Sequence, residues 1–209
     1  MRVLIACEYS GAVRDEFIKL GHDAMSCDLL PTDVPGPHYQ GDVFDIINDG
    51  WDLMIAHPPC TYISRAGARW MYQNNKVNQE RLTKALDAKD FFMKLYNADI
   101  EKIALENPTP LQILKMPLPS QAIEPFQFGH PFSKRTLLWL KNLPLLKPTN
   151  ILNQYTPFLP SNTGGAKRGE KTHRGTAKNW KESSTTFKGV AKAMADQWSK
   201  PGLIQAKLL

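Results

Sequence analysis

The chain is short of the features that mark several classes of protein. Its three cysteines, Cys7, Cys27 and Cys60, leave one over from any single disulfide, and none stands in Cys-x-x-Cys spacing. A disulfide scaffold and a zinc site of that kind are therefore not expected, and no metal is assigned. No apolar run approaches the roughly 18 residues needed to span a bilayer, and no long apolar stretch follows Met1-Arg2-Val3-Leu4-Ile5-Ala6 as it would in a signal peptide. The expectation is a cytoplasmic protein with no membrane partner. Internal repeats and long low-complexity tracts are also missing. With 42% hydrophobic and 22% charged residues, the composition is that of an ordinary globular protein, and 209 residues suit one domain of roughly 100–200.

Lysine and arginine number 26 against 20 aspartates and glutamates, which favours an anionic partner such as nucleic acid. The excess is concentrated. Leu152 to Glu182 is poor in apolar residues and carries Lys167, Arg168, Lys171, His173, Arg174, Lys178 and Lys181. Two readings stay open for this stretch: a solvated loop, or a segment that contacts phosphates.

Hydrophobic periodicity organises the remainder. Arg2 to Ala6 is a short apolar run, and Ser10-Gly11 leads into Ala12, Val13, Phe17 and Leu20 at helical spacing, which predicts strand, turn and helix. His22 to Cys27 alternates apolar and polar residues and stops at Asp28, ahead of Pro31, Pro35 and Pro37. Trp51 to Ala56 reads as a buried strand ending at His57-Pro58-Pro59-Cys60, with a loop to about Asn75. Val77 to Asn97 sets Leu82, Leu86, Phe91, Phe92 and Leu95 among charges, an amphipathic helix. Ile103-Ala104-Leu105 is a strand delivering Glu106-Asn107-Pro108. Thr136 to Leu140 is another strand, and Phe187 to Trp198 a closing helix with Val190, Met194 and Trp198 on one face. This alternation predicts an α/β open sheet with helices on both faces.

In such sheets ligands collect at the carboxyl ends of the strands. The turn Cys7-Glu8-Tyr9-Ser10-Gly11 offers a glycine and a helix N-terminus. Asp28 ends a strand where ribose hydroxyls are bound in nucleoside-cofactor sites, and Asp42 is a candidate for an adenine amino group. Each carboxylate alone is more often a turn or cap residue, but the spacing of the set favours the nucleoside reading. Two prolines before Cys60 fix its backbone and present the thiol at a defined angle. A free cysteine is more often a small buried hydrophobe, but Glu106-Asn107-Pro108 supplies a second proline-pinned polar group at a strand end.

The order of turn, Asp28, Gly41-Asp42, Pro58-Pro59-Cys60, Glu106-Asn107-Pro108 and Ser133-Lys134-Arg135 resembles the DNA (cytosine-5) methyltransferase family, in a compact form of the bacteriophage type. It runs in order through residues 1–142, with a looser echo in Thr185 to Trp198. The resemblance implies a Rossmann-like methyltransferase fold, S-adenosylmethionine as cofactor and DNA as partner. It makes Cys60 the nucleophile that adds to carbon 6 of a flipped-out cytosine, and Glu106 a protonated carboxyl that donates to ring nitrogen 3. Arg135 joins them as the third catalytic residue, and Tyr9, Ser10, Gly11, Asp28, Asp42 and Pro58 fall in the cofactor motifs. Arg65 and Arg69, in the loop after Cys60, are candidate DNA contacts, as are Lys167, Arg168, Lys171 and Arg174; Arg65 and Arg69 read equally as plain surface charges.

The departures are informative. Of the family's first motif only Gly11 remains, with Cys7 and Tyr9 at the other places. Ser133-Lys134-Arg135-Thr136-Leu137 keeps one arginine and loses the glutamine and the second arginine. The expected organisation is a single catalytic domain over 1–209 with a basic, loop-rich insertion at about 152–182. Only about forty residues separate Leu143 from Glu182, short of a recognition domain of at least 50 or so. Low sequence selectivity, or a partner protein that supplies it, is expected. Two competing functions remain: modification of a free pyrimidine nucleotide, and a catalytically silent relative that binds DNA or a protein.

Overall fold

The computed structural model describes residues 1–74, 76–157 and 185–199. Its elements in chain order are β1 (Arg2–Ala6), α1 (Ala12–Lys19), β2 (Asp23–Asp28), β3 (His38–Gln40), β4 (Leu53–Ala56), α2 (Ala68–Met71), β5 (Tyr72–Gln73), β6 (Lys76–Val77), α3 (Gln79–Tyr96), β7 (Lys102–Asn107), β8 (Gln121–Ile123), β9 (Phe132–Ser133), β10 (Thr136–Lys141), β11 (Thr156–Pro157) and α4 (Lys188–Trp198). Seven strands form one sheet in the order β3-β2-β1-β4-β7-β10-β8. Neighbours from β3 to β7 pair in parallel, whereas β10 runs antiparallel between β7 and β8. This is the Rossmann-like α/β fold that the alternation of elements predicts. Its strand order reverses between β1 and β4, where such sheets open a crevice.

Both faces of the central strands are buried, which is why they read as nearly continuous apolar runs. Val3, Ile5, Leu53, Ile55, Ala104 and Leu138 pack with Val13 and Phe17 of α1 and with Val190, Met194 and Trp198 of α4. Leu4, Ala6, Met54, Ala56, Ile103, Leu105 and Trp139 face the other way, onto Ala85, Phe92 and Leu95 of α3. Asn78 starts α3 by accepting the amide of Arg81 on its side chain.

Some expectations change. Leu86 is 44% exposed, because the buried stripe of α3 passes through Ala85, one helical step away. β3 and β8, three residues each at the two edges of the sheet, are too short for a periodic signal. The stretch after Cys60 is not loop throughout: it holds α2 and the β5–β6 hairpin. Lys167, Arg168, Lys171 and Arg174 lie outside the described residues. Among the described residues no helix is long and apolar enough to cross a membrane.

Candidate active site

A cavity of about 250 Å³ opens at the carboxyl ends of β1 and β2, lined by Cys7, Asp28, Leu29, Asp42, Val43, Pro59 and Phe91 among others. It lies on the α3 side of the sheet. Asp28 ends β2, and its Oδ1 accepts the Leu30 amide at 2.9 Å. Asp42 caps a 3-10 turn by accepting the Phe44 amide at 3.0 Å. A carboxylate has acceptor capacity beyond one such bond, so both residues expected to meet a nucleoside face one apolar-walled space. Burial, with the Asp28 charge adding to it, pushes the Cys7 thiol far up and the Cys27 thiol up to about 12. Both stay neutral and serve as wall rather than nucleophile.

The turn after β1 works differently from expectation. Cys7 takes a left-handed backbone conformation, φ 58°, which turns the chain so that Glu8 points inward. Glu8 is buried, and its carboxylate accepts the amides of Val13 at 2.8 Å and Arg14 at 3.3 Å. The Ala12 amide goes to Ser10 Oγ. The N-terminal donors of α1 are thus satisfied from within, with the carboxylate at the positive end of the helix. Gly11, at φ +72°, makes room for a side chain: a Cβ there would lie 2.5 Å from the Arg14 guanidinium and 2.6 Å from Val34. Tyr9, Ser10 and Gly11 accordingly do not line the cavity; Cys7 is the residue of that turn that does. Arg14, which the sequence reading passed over, is fully buried and donates to Ser26 Oγ, Thr32 Oγ1 and the carbonyls of Val34 and Pro35. It fastens the proline-rich segment after β2 beside the cavity.

On the adjacent strands β4 and β7, Ala56 pairs with Leu105, so His57 and Glu106 follow as the next cross-strand neighbours. Their side chains meet at 2.9 Å, His57 Nδ1 to Glu106 Oε2, and are 15% and 19% exposed. One residue further, buried Asn107 donates from Nδ2 to the Pro58 carbonyl at 2.8 Å. This bond ties together the two proline-pinned strand ends. The cavity wall takes Pro59 in place of the expected Pro58, whose carbonyl is engaged with Asn107.

The expected protonation of Glu106 is not what the resting site favours. Burial raises the Glu106 carboxyl, but its hydrogen bond to His57, the His57 charge and the Lys134 charge together hold it below its ordinary range. Burial pushes the His57 imidazole down, yet the bond and charge of Glu106, with Glu8 behind them, carry it above its ordinary value against Lys134. Both shifts favour the shared proton on His57 over Glu106. His57, missed at the sequence level, is visible there only as the residue before Pro58-Pro59-Cys60.

Cys60 is exposed at the edge. Desolvation pushes its thiol up, Lys134 and a backbone hydrogen bond oppose that, and the Glu106 charge adds to it. Lys134 shares a small recess with Glu106, Thr136 and Phe187. Arg135, the third expected catalytic residue, is exposed and acts on Glu124, whose carboxyl burial raises against the bond from the Lys134 amide and the Arg135 charge. Among the described residues, Lys134 is the cation that acts electrostatically on both Cys60 and Glu106. Arg65 and Arg69 are both exposed, and the Arg69 guanidinium lies 4.5 Å from the Trp70 ring centroid. Arg81 of α3 holds the start of this loop, donating to the Thr61 carbonyl at 3.0 Å and covering the Tyr62 ring.

No family model matches the chain, and no curated protein matches it. Among solved structures it is similar to a protein from E. coli, provisionally assigned as a DNA modification methyltransferase encoded within a prophage. The identity is 14% and the TM-score 0.46, over 72% of this chain and 51% of that one. The chain thus spans about half the length of that structure.

Proposed function

We propose that the chain transfers a methyl group from S-adenosylmethionine to carbon 5 of cytosine in DNA, through a covalent adduct with Cys60. One observation carries the reading: Cys60 and Glu106 stand at the ends of adjacent parallel strands, tied by Asn107, beside a cavity bearing two carboxylates at the strand-order reversal. A nucleoside suits that cavity. Leu29, Val43 and Phe91 offer apolar surface to a purine, and Asp28 and Asp42 offer acceptors to hydroxyl and amino groups. Bound there, the cofactor supplies an electrophilic methyl group.

The chain's own residues perform the remaining steps. Cys60, as thiolate, forms a bond from Sγ to carbon 6 of the pyrimidine. The electrons of the 5,6 double bond become available at carbon 5, and the ring charge is met by a proton from Glu106 to nitrogen 3. Carbon 5 would take the methyl group as the sulfonium carbon–sulfur bond breaks and its electrons stay on the departing thioether, and would lose its hydrogen as a proton to solvent. The bond from Sγ to carbon 6 then breaks, the double bond re-forms, and nitrogen 3 returns its proton. The base must leave the duplex stack for this. Arg65 and Arg69 are assigned to phosphate contacts around it, together with Lys167, Arg168, Lys171 and Arg174. Sequence specificity is left to a partner protein or is low.

The test is mass spectrometry of nucleosides from the DNA of a host without its own cytosine methylation, expressing either the wild type or Cys60→Ala. 5-Methylcytosine is expected only with the wild type. A soluble wild type that leaves no 5-methylcytosine, or a Cys60→Ala variant that leaves as much, overturns the reading.

A further inference from the structure

Building on that reading, we infer that His57 is a positioning residue that acts through Glu106: its imidazolium orients the carboxylate through Nδ1 and holds the proton that Glu106 delivers to the pyrimidine ring. The proposed chemistry needs a proton at Glu106 as the thiolate adds, and a lone ionised carboxylate has none to give. The structure supplies a source at hydrogen-bond distance. His57 Nδ1 lies 2.9 Å from Glu106 Oε2, and both side chains are largely withdrawn from water.

The other ring nitrogen narrows the route. His57 Nε2 is buried with no hydrogen-bond partner among the described residues. Among the described residues the one short path for a proton out of this imidazole is then the bond to Glu106. The charged groups facing His57 come from three elements: Glu106 on β7, Glu8 in the turn after β1, and Lys134 ahead of β10. Burial and the Lys134 ammonium oppose the imidazolium, and the bond and charge of Glu106 with the Glu8 charge outweigh them.

The step balances without an outside reactant. As charge develops on the ring, the His57 Nδ1–H bond breaks and an O–H bond forms on Glu106. The carboxyl gives its proton to nitrogen 3, leaving neutral imidazole, carboxylate and protonated ring. When the thiolate departs at the end, nitrogen 3 returns the proton by the same path and the imidazolium is restored. A purely structural histidine would need only to donate a hydrogen bond, and here an asparagine separates the two roles. Asn Nδ2 stands at the same number of bonds from the backbone as His Nδ1, so His57→Asn keeps a donor towards Glu106 and removes the titrating proton.

Measurements on the full chain decide it. In the wild type, the pH dependence of kcat/KM for methyl transfer to DNA should be bell-shaped. In His57→Asn the rate should fall about a hundredfold, within the usual range for lost acid–base catalysis. Its profile should rise and level without an alkaline decline, while S-adenosylmethionine binding stays near wild type and the melting temperature falls no further than in Glu106→Gln. A variant that keeps the wild-type rate and the alkaline decline overturns the inference. By NMR, the His57 imidazole should titrate above its ordinary 6.5 and drop in Glu106→Gln. An imidazole that titrates normally and does not respond to Glu106→Gln overturns the inference while leaving methyl transfer intact. A wild type that methylates nothing, although His57 titrates as expected, overturns the methyl-transfer reading and with it the proton delivery.

Discussion

The side-chain amide of Asn107 donates to the carbonyl oxygen of Pro58 at 2.8 Å, inside the protein, and so locks the end of β7 to the segment that presents Cys60. A proline carbonyl at that depth has few alternatives to this partner. Asn107→Ala leaves it unsatisfied, at a cost of about 1–3 kcal/mol. Urea denaturation should show the loss as a lower midpoint with an unchanged slope. Methyl transfer should fall further than stability alone accounts for, since the thiol is then less firmly aimed.

The His57–Glu106 pair gives stability a pH window whose sign follows from the two shifts. His57 is raised, so its contribution is complete below about 6.5 and disappears as pH rises through its folded value. Glu106 is lowered, so its contribution is complete above about 4.5 and disappears as pH falls through its folded value. The gap in melting temperature between wild type and Glu106→Gln should be widest between about pH 4.5 and 6.5 and narrow on both sides. A gap that does not change with pH means the pair is not ionic.

Lys134 opposes the desolvation that keeps Cys60 a thiol. Removing it in Lys134→Gln should slow alkylation of Cys60 by iodoacetamide about two- to fivefold at pH 8, because the thiolate is the reacting form. Cys7 and Cys27, both held strongly as thiols, should alkylate far more slowly than Cys60 in the native protein. Arg135→Gln should leave the Cys60 rate unchanged.

Asp28 is the better placed of the two cavity carboxylates for a ribose, because it stands at the carboxyl end of β2, the strand beside β1, where such sheets bind ribose hydroxyls. Asp28→Ala should weaken S-adenosylmethionine binding by about tenfold or more, the worth of hydrogen bonds to a charged acceptor. Calorimetric titration reads this directly, and unchanged affinity would remove the cavity from the cofactor assignment.

Much of this arrangement is legible in the sequence. The apolar runs Val3–Ala6, Leu53–Ala56 and Ile103–Leu105 could be buried only as central strands, and the proline pair before Cys60 and Pro108 after Glu106-Asn107 marked where those strands end. Periodicity also gave α3 and α4, because burial of one helix face writes itself into spacing. The antiparallel placement of β10 was not legible, since a strand reads the same in either direction.

What the sequence determined by itself was the set of elements and the residues at their carboxyl ends, because local steric limits and hydrophobic spacing act within a few residues. Only the tertiary structure decided which of those ends meet. Glu8 turned inward to cap α1, Gly11 yielded its space to Arg14, Lys134 faced the nucleophile in place of Arg135, and His57 came to rest on Glu106. Each depends on contacts between residues far apart in the chain, and the face a side chain takes there is set by strand register and burial rather than by its neighbours in sequence.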